Sequence, residues 1–155
     1  MSGTVHGYET LVEWSGSTGV GYEHYDRTHR GAATPADAAL TLTSDPAFGG
    51  DPSLLNPEQL AVLAASSCQL LSFLAVAARA RLDVVAYRDQ AEAVMPEDDR
   101  PVRLTRITLR PRITVRGDVD DARLHHLCEV AHNECFIANS LKTDVVVEPE
   151  FERVD

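Results

Sequence analysis

The stretch that most constrains this chain is Glu58 to Ala80, in which sixteen of 23 residues are apolar. A helix covering one side of a core needs an apolar stripe a little over ~100° wide, and this surplus leaves no broad polar face for water. The segment therefore predicts a long buried central helix, covered over most of its circumference by sheet or by another subunit. Its start is marked by Asn56, a favoured N-cap, by Pro57, whose φ suits the first helical position, and by Glu58, whose charge suits the positive end of the helix dipole. Gln59 to Ala78 carries no charge over twenty residues, the length of a membrane span. Its centre, Ser66-Ser67-Cys68-Gln69, is polar and six of its residues are alanine, so transfer into lipid would be weak. A core helix with no membrane partner is the reading.

The remaining segments have to wrap that helix. A chain of 155 residues suits one domain, residues 1–155, and 44% hydrophobic with 25% charged residues excludes wholesale disorder. Ahead of the helix, Tyr8 to Trp14 mixes β-branched and aromatic residues with polar ones, and Ser15 to Gly21 supplies a flexible turn, which together predict an opening β-hairpin. Ala38 to Thr43 reads as a further short strand, and Ser44 to Leu55 as a loop. Behind the helix, Arg81 to Met95 is strand-like, Pro96 to Pro101 is a turn, and the partner of a second β-hairpin follows. In that partner Ile107, Leu109, Ile113 and Val115 share one parity while Arg106, Arg110, Arg112 and Arg116 share the other. Pro111 suggests an edge or a bulge. With a net charge of −10 and no aromatics between the arginines, the row reads as a solvated face balanced by nearby carboxylates, and nucleic acid is not the expected partner. Asp118 to Asp121 opens a second helix running to about Cys135, Phe136 to Leu141 extends it after a break, and Thr143 to Pro149 is a terminal strand. This order makes an α+β domain.

Three cysteines, an odd number, and no secretory-type start favour a reducing, cytoplasmic setting. Taken singly, each cysteine reads as a small buried hydrophobe. Cys128 continues the stripe Leu124, Cys128, Ala131, Cys135, and it lies two helical turns, ~10.5 Å, from Cys135, beyond the ~7 Å that a disulfide bridges. His125, Cys128, His132 and Cys135 invite a zinc reading, but four ligands spread over ~15 Å of one helix cannot surround one ion. No metal is expected; His132 should cap or hydrogen-bond locally.

Two strings change the weight given to the thiols: Asn56-Pro57-Glu58-Gln59-Leu60 followed by Cys68, and Ala131 to Leu141 around Cys135. In order, separation and intervening strands they resemble the OsmC/Ohr family, the osmotically induced protein C and organic hydroperoxide resistance proteins, over roughly Leu55 to Val147. The resemblance implies an OsmC-like fold, an intertwined homodimer, and reduction of organic or inorganic hydroperoxides with thiols, without metal or other bound cofactor. By motif, it makes Cys68 the peroxidatic cysteine, Cys135 the resolving cysteine, and Glu58 the carboxylate that holds an active-site arginine. That arginine comes from the N-terminal β-region in the family, where Arg27 and Arg30 are available and Arg27 is favoured. A sulfenic acid at Cys68 would condense with Cys135 to a disulfide that an external dithiol, of lipoyl type by the same resemblance, reduces. Ten residues of helix rise ~15 Å, so Glu58 cannot touch Cys68 on the same helix, and a site using both lies at a subunit interface. The alternative is a redox-sensing or small-molecule-binding module that keeps the dimer without efficient turnover.

Overall fold

The computed structural model describes residues 3–155. The chain forms two compact units, Met1–Leu60 and Ala61–Asp155.

In the first unit, β1 (Glu9–Glu13), β2 (His29–Thr34) and β3 (Ala39–Leu42) form an antiparallel sheet in that order. The opening hairpin forms, β1 pairing antiparallel with β2, across a connection longer than the Ser15–Gly21 turn. Residues 14–28 join β1 to β2 and contain a 3-10 turn, Thr18–Val20. Aromatic packing organises this longer connection: the Trp14 indole N–H donates to the Asp26 carbonyl (2.8 Å), and Tyr25 lies edge-on to both Trp14 and Tyr22. The sheet buries little, since every residue of β1 is exposed and only Leu42 of the three strands is fully buried. The loop after β3 returns so that Thr43 N–H donates to the Leu55 carbonyl (3.0 Å). Asn56 then starts α1 (Pro57–Arg79). Its Oδ1 accepts from the Gln59 amide (2.9 Å) while Gln59 Oε1 accepts from the Asn56 amide (3.0 Å), a reciprocal capping box that satisfies two otherwise orphaned donors.

In the second unit, α1 buries Ala65, Gln69, Phe73, Val76 and Ala77, residues spaced to share one face. The second hairpin forms but bends in the middle. Its two limbs are β4 (Val84–Asp89) with β5 (Glu92–Val94), and β6 (Arg106–Leu109) with β7 (Pro111–Arg116). β4 pairs with β7 in one three-stranded sheet and β5 with β6 in another. Pro111, the expected irregularity, sits where the chain changes sheet. There the Arg110 amide donates to Asp89 Oδ1 (2.7 Å), a side-chain acceptor for a backbone donor.

After α2 (Asp121–Asn133) and α3 (Phe136–Ser140), β8 (Asp144–Val147) joins β6 in parallel. A strand not expected from the sequence, β9 (Glu150–Val154), continues past Pro149 and joins β7 in parallel. Phe73, Val76 and Ala77 pack with Ile113, Val115, Leu124, Cys128 and Ala131, and Ala65 packs with Ile107, Leu109 and Val145. Each sheet thus takes its own stretch of α1. The arginine row faces out and is paired throughout: Arg106 with Asp144, Arg110 with Glu92 and Glu148, Arg112 with Glu150 and Glu152, Arg116 with Asp83. These exposed pairs balance charge and add little stability.

Full burial of α1 does not hold for the single chain. Leu63 and Leu71 are 58% and 64% exposed, on the side of the helix turned away from the sheets. α1 is long and apolar enough to span a membrane by length and composition. Its Gln69 and Phe73 are nonetheless in the core of the second unit, and Ser66 is tied to Asp89.

Candidate active site

Cys68 lies mid-way along α1 and is half-buried; Cys135 is 1% exposed. Cys135 takes an extended conformation (φ −71°, ψ 108°) between α2 and α3, so the break expected there is real and is made by this residue. The two thiols, 67 residues apart in sequence, are neighbours in the fold, near enough for Cys68 to act on the ionisation of Cys135. Burial pushes the Cys135 thiol up, and the amides of Ala138 and Ile137 facing its sulfur oppose that shift. A molecule arriving from solvent meets Cys68 first, with Cys135 in reserve behind it. This order suits a nucleophile and a second thiol that captures the oxidised product.

Next to Cys68 in the chain is a polar group turned into the core. Gln69 is fully buried and its amide nitrogen donates to Cys128 Sγ (3.9 Å), while its Oε1 is buried without a partner. Burial pushes the Cys128 thiol up to about 11, with the Glu129 charge adding to the shift and the Gln69 bond opposing it. Cys128 is core packing, and it stays protonated. Tyr87, on β4, tilts its ring against Phe73 (6.2 Å) and has a buried hydroxyl with no partner. Nearby, Ser66 Oγ donates to Asp89 Oδ2 (2.5 Å), fixing the helical turn ahead of Cys68 to the end of β4. Of these residues the sequence marks Gln69 alone, as the neighbour of the cysteine; Tyr87 and Asp89 enter through strand pairing that patterning does not locate.

Arg27 belongs to the first unit, on the connection leading into β2. Its Nη1 donates to the Tyr25 carbonyl (2.7 Å) and its Nη2 to the Tyr22 carbonyl (2.7 Å). Its guanidinium carbon lies 4.0 Å from the Tyr25 ring centroid and 4.9 Å from that of Tyr22. Gly49 leaves the space: a Cβ there would come within 2.7 Å of Arg27 Cζ. Asp26 turns away, and the Thr28 amide (2.9 Å) holds its carboxyl below the usual range. The guanidinium therefore lines an apolar groove with Val12, Trp14, Tyr25, His29 and Pro57. Arg30, the other candidate, is on the exposed surface of β2 and pairs with Glu13 (3.4 Å). The Tyr22 and Tyr25 spacing and the Gly49-Gly50 pair are the sequence's only hints that Arg27 is the ordered one.

Glu58 is half-buried in the first turn of α1. Among the described residues, neither Glu58 nor Arg27 makes an ion pair. Since α1 is unbroken from Pro57 to Arg79, the ~15 Å rise between Glu58 and Cys68 stands. The structure therefore joins Cys68 with Cys135, holds Glu58 three turns along the helix from Cys68, and gives Arg27 its partners within the first unit. His132 does not cap through its ring: its Nδ1 is buried without a partner, and its backbone carbonyl accepts from the Cys135 amide (3.1 Å). Among the described residues, no three His, Cys, Asp or Glu side chains are grouped to hold a metal ion.

Several solved structures share this architecture. An OsmC-like protein of unknown function from Vibrio cholerae superposes with a TM-score of 0.84 at 26% identity, over 94% of this chain and 100% of that one. An organic hydroperoxide resistance protein from Elizabethkingia anophelis gives 0.73 at 16% identity, over 97% of this chain and 99% of its own. The organic hydroperoxide resistance protein OhrB of Bacillus subtilis gives 0.62 at 17% identity, over 95% and 98%. At such identities the last two speak for the fold alone. No curated protein sequence matches the chain. The sequence model of the OsmC-like proteins matches residues 50–150, which include the α1 cap, Cys68, Tyr87 and Cys135, and the chain belongs to the OsmC-like protein family.

Proposed function

We propose that this protein is a cytoplasmic, thiol-dependent hydroperoxide reductase, and the nearness of Cys68 to the buried Cys135 at the α2–α3 break is the observation that carries the reading. Cys68 as thiolate attacks the terminal peroxide oxygen; the O–O bond breaks, an alcohol or water leaves, and Cys68 becomes a sulfenic acid. Cys135, already beside it, attacks the Cys68 sulfur and expels water, leaving a Cys68–Cys135 disulfide. An external dithiol of lipoyl type then returns both thiols, its own sulfurs ending as a disulfide. No resident cofactor enters the cycle.

A homodimer completes the site in this proposal. Arg27, with a partly buried guanidinium held over two tyrosine rings, polarises the leaving oxygen, and Glu58 of the partner subunit supplies the carboxylate that one continuous helix cannot bring to its own thiol. The uncovered leucines of α1 and the exposed sheet of the first unit are the surfaces that such a dimer would cover.

Cumene hydroperoxide added to the reduced protein should produce a Cys68–Cys135 crosslink in non-reducing peptide mapping. Thiols that stay free under excess peroxide would refute the proposal. One observation favours a second reading, a sensor with poor turnover: Arg27 is engaged by two carbonyls and, among the described residues, has no carboxylate partner in the chain. Sustained peroxide consumption with dithiothreitol excludes the sensor as the whole account; a single stoichiometric oxidation supports it.

A further inference from the structure

We propose that Gln69 is a positioning residue for the thiol pair: its buried carboxamide, bonded to the Cys128 sulfur, fixes α2 on α1 in the orientation that sets Cys135 beside Cys68. The inference rests on the thiol-pair reading above and names the residue that brings its two sulfurs together.

The buried face of α1 is Ala65, Gln69, Phe73, Val76 and Ala77, and that of α2 is Leu124, Cys128 and Ala131. Most of this packing is apolar. Apolar surfaces attract without direction, so a helix can roll or slide on such a face with little change in the area it buries. Gln69 is the exception. It is the one polar residue of the buried α1 face, and its amide nitrogen donates to Cys128 Sγ at 3.9 Å. A thiol both donates and accepts weakly, so the contact is directional whichever end of the carboxamide it meets. The amide oxygen is buried with no partner. An apolar side chain of the same length would remove the cost of that orphaned oxygen, so the carboxamide needs a reason other than stability. The best-attested use of a buried polar group between helices is to set their register.

The position of Gln69 in the chain says what that register serves. Gln69 follows Cys68 directly on α1, and Cys128 stands seven residues ahead of Cys135, on the helix that runs to the break Cys135 makes. Two adjacent residues of α1 thus meet the α2 segment at two separated points, and two points fix an angle that one leaves free. Ser66, bonded to Asp89, holds the same stretch of α1 to β4. The other polar ties between the helices are Arg79 with Glu134 and Arg123 with the Ala80 carbonyl, both exposed. They lie about three turns beyond Cys68, at the far end of α1, and constrain the thiols weakly. Without the Gln69 bond α2 keeps its apolar packing but loses its fixed angle, and Cys135 spends less time in line with Cys68. One hydrogen bond shifts such an orientational equilibrium roughly 2- to 10-fold.

The test is the thiol–disulfide equilibrium of the protein in glutathione buffers. There Cys68 and Cys135 give up two electrons and two protons as they form the disulfide, and oxidised glutathione takes them up to become two thiols. Free cysteines are alkylated and read by peptide mass mapping. Gln69→Met keeps the length and the helix propensity while removing the donor and the orphaned oxygen, so its Tm should match or exceed the parent's. Its equilibrium constant for the Cys68–Cys135 disulfide should nonetheless fall by the factor given above. Cys128→Ser keeps an acceptor for the carboxamide and should stay near the parent constant. Cys128→Ala should match Gln69→Met, and the two changes together should lose no more than either alone. A parent-like constant in Gln69→Met overturns the assignment, as does an additive loss in the double variant. A Tm that falls with the constant marks Gln69 as structural and overturns it too. A parent that forms no Cys68–Cys135 disulfide at any glutathione ratio overturns the thiol-pair reading and this assignment with it. A parent that forms the disulfide but ignores hydroperoxides sinks the peroxidase reading alone, and the Gln69 comparison still decides.

Discussion

Gly49→Ala tests whether the chain is built to hold Arg27 where it is. Gly49 has φ 83° and ψ 20°, the left-handed region, and its position faces Arg27 with Cζ at 2.7 Å, Nη1 at 2.9 Å and Nε at 3.0 Å from where a Cβ would stand. The backbone contribution is about 1–2 kcal/mol for an L-residue in that region. The guanidinium must also shift, and with both of its 2.7 Å carbonyl bonds strained it loses at least one. A charge-assisted bond contributes about 1.5–3 kcal/mol at most, and partial exposure reduces that to about 1–2. The expected total is about 2–4 kcal/mol. Gly117→Ala is the control, since Gly117 has φ 91° and a Cβ added there would meet nothing within 4 Å, leaving only the backbone cost. Both variants are unfolded in urea, with helix followed by circular dichroism and the first unit by the emission of Trp14, the only tryptophan. In the proposed enzyme Gly49→Ala also lowers hydroperoxide turnover at least tenfold while Gly117→Ala does not. If the two variants lose equal stability, and Trp14 emission and turnover are unchanged in Gly49→Ala, the reasoning about Arg27 is wrong.

Burial raises Cys128 from 9.0 to about 11, so above pH 9 the unfolded chain releases a proton that the folded chain retains. Stability should therefore fall from about pH 9 to pH 11, by up to roughly 2–3 kcal/mol from this group, and urea titrations of Cys128→Ala should show a correspondingly shallower decline. Ser66→Ala removes the 2.5 Å bond to the half-buried Asp89 and should cost about 1–3 kcal/mol in the same assay; a loss under about 0.5 kcal/mol would show that the bond contributes nothing to holding α1 on β4. Leu71→Arg places charge on the uncovered side of α1 and should convert the proposed homodimer to monomer in sedimentation equilibrium; a parent protein that is itself monomeric refutes the dimer outright.

What could be read from the sequence was whatever its neighbours in sequence determine. The α1 start is an example, because Asn56, Pro57 and Gln59 make the cap among themselves. The alternation of Ile113 and Val115 with Arg112 and Arg116 was equally plain, since one buried face dictates it. β9 was not: within Glu150–Val154, Phe151 and Val154 are its apolar residues, and its place depends on a parallel edge offered by β7. Nor does any pattern state that the hairpin bends at Arg110 to divide between two sheets. Cys68 and Cys135 read singly as buried hydrophobes, and only the family likeness joined them; the fold brings them together by setting the α2–α3 break against α1. The setting of Arg27 is only hinted at, by the two tyrosines whose rings it lies over, for a different reason. Its hydrogen-bond acceptors are backbone carbonyls, which every residue has, so no side-chain pattern records them.

The composition of α1 contains one message that the single chain does not use. Sixteen apolar residues in 23 predicted cover on nearly every side, yet the chain's own sheets cover one side and leave Leu63 and Leu71 more than half exposed. Full burial of a leucine contributes about 1.5–3 kcal/mol. Keeping several in water along one helix face, in a chain whose first strand is also wholly exposed, is a poor solution for an isolated subunit. The proposed second copy would answer both defects, and it would also supply a Glu58 able to approach Cys68 without breaking α1. Stability and the proposed chemistry thus make the same demand independently, which is why the oligomeric state bears on both at once.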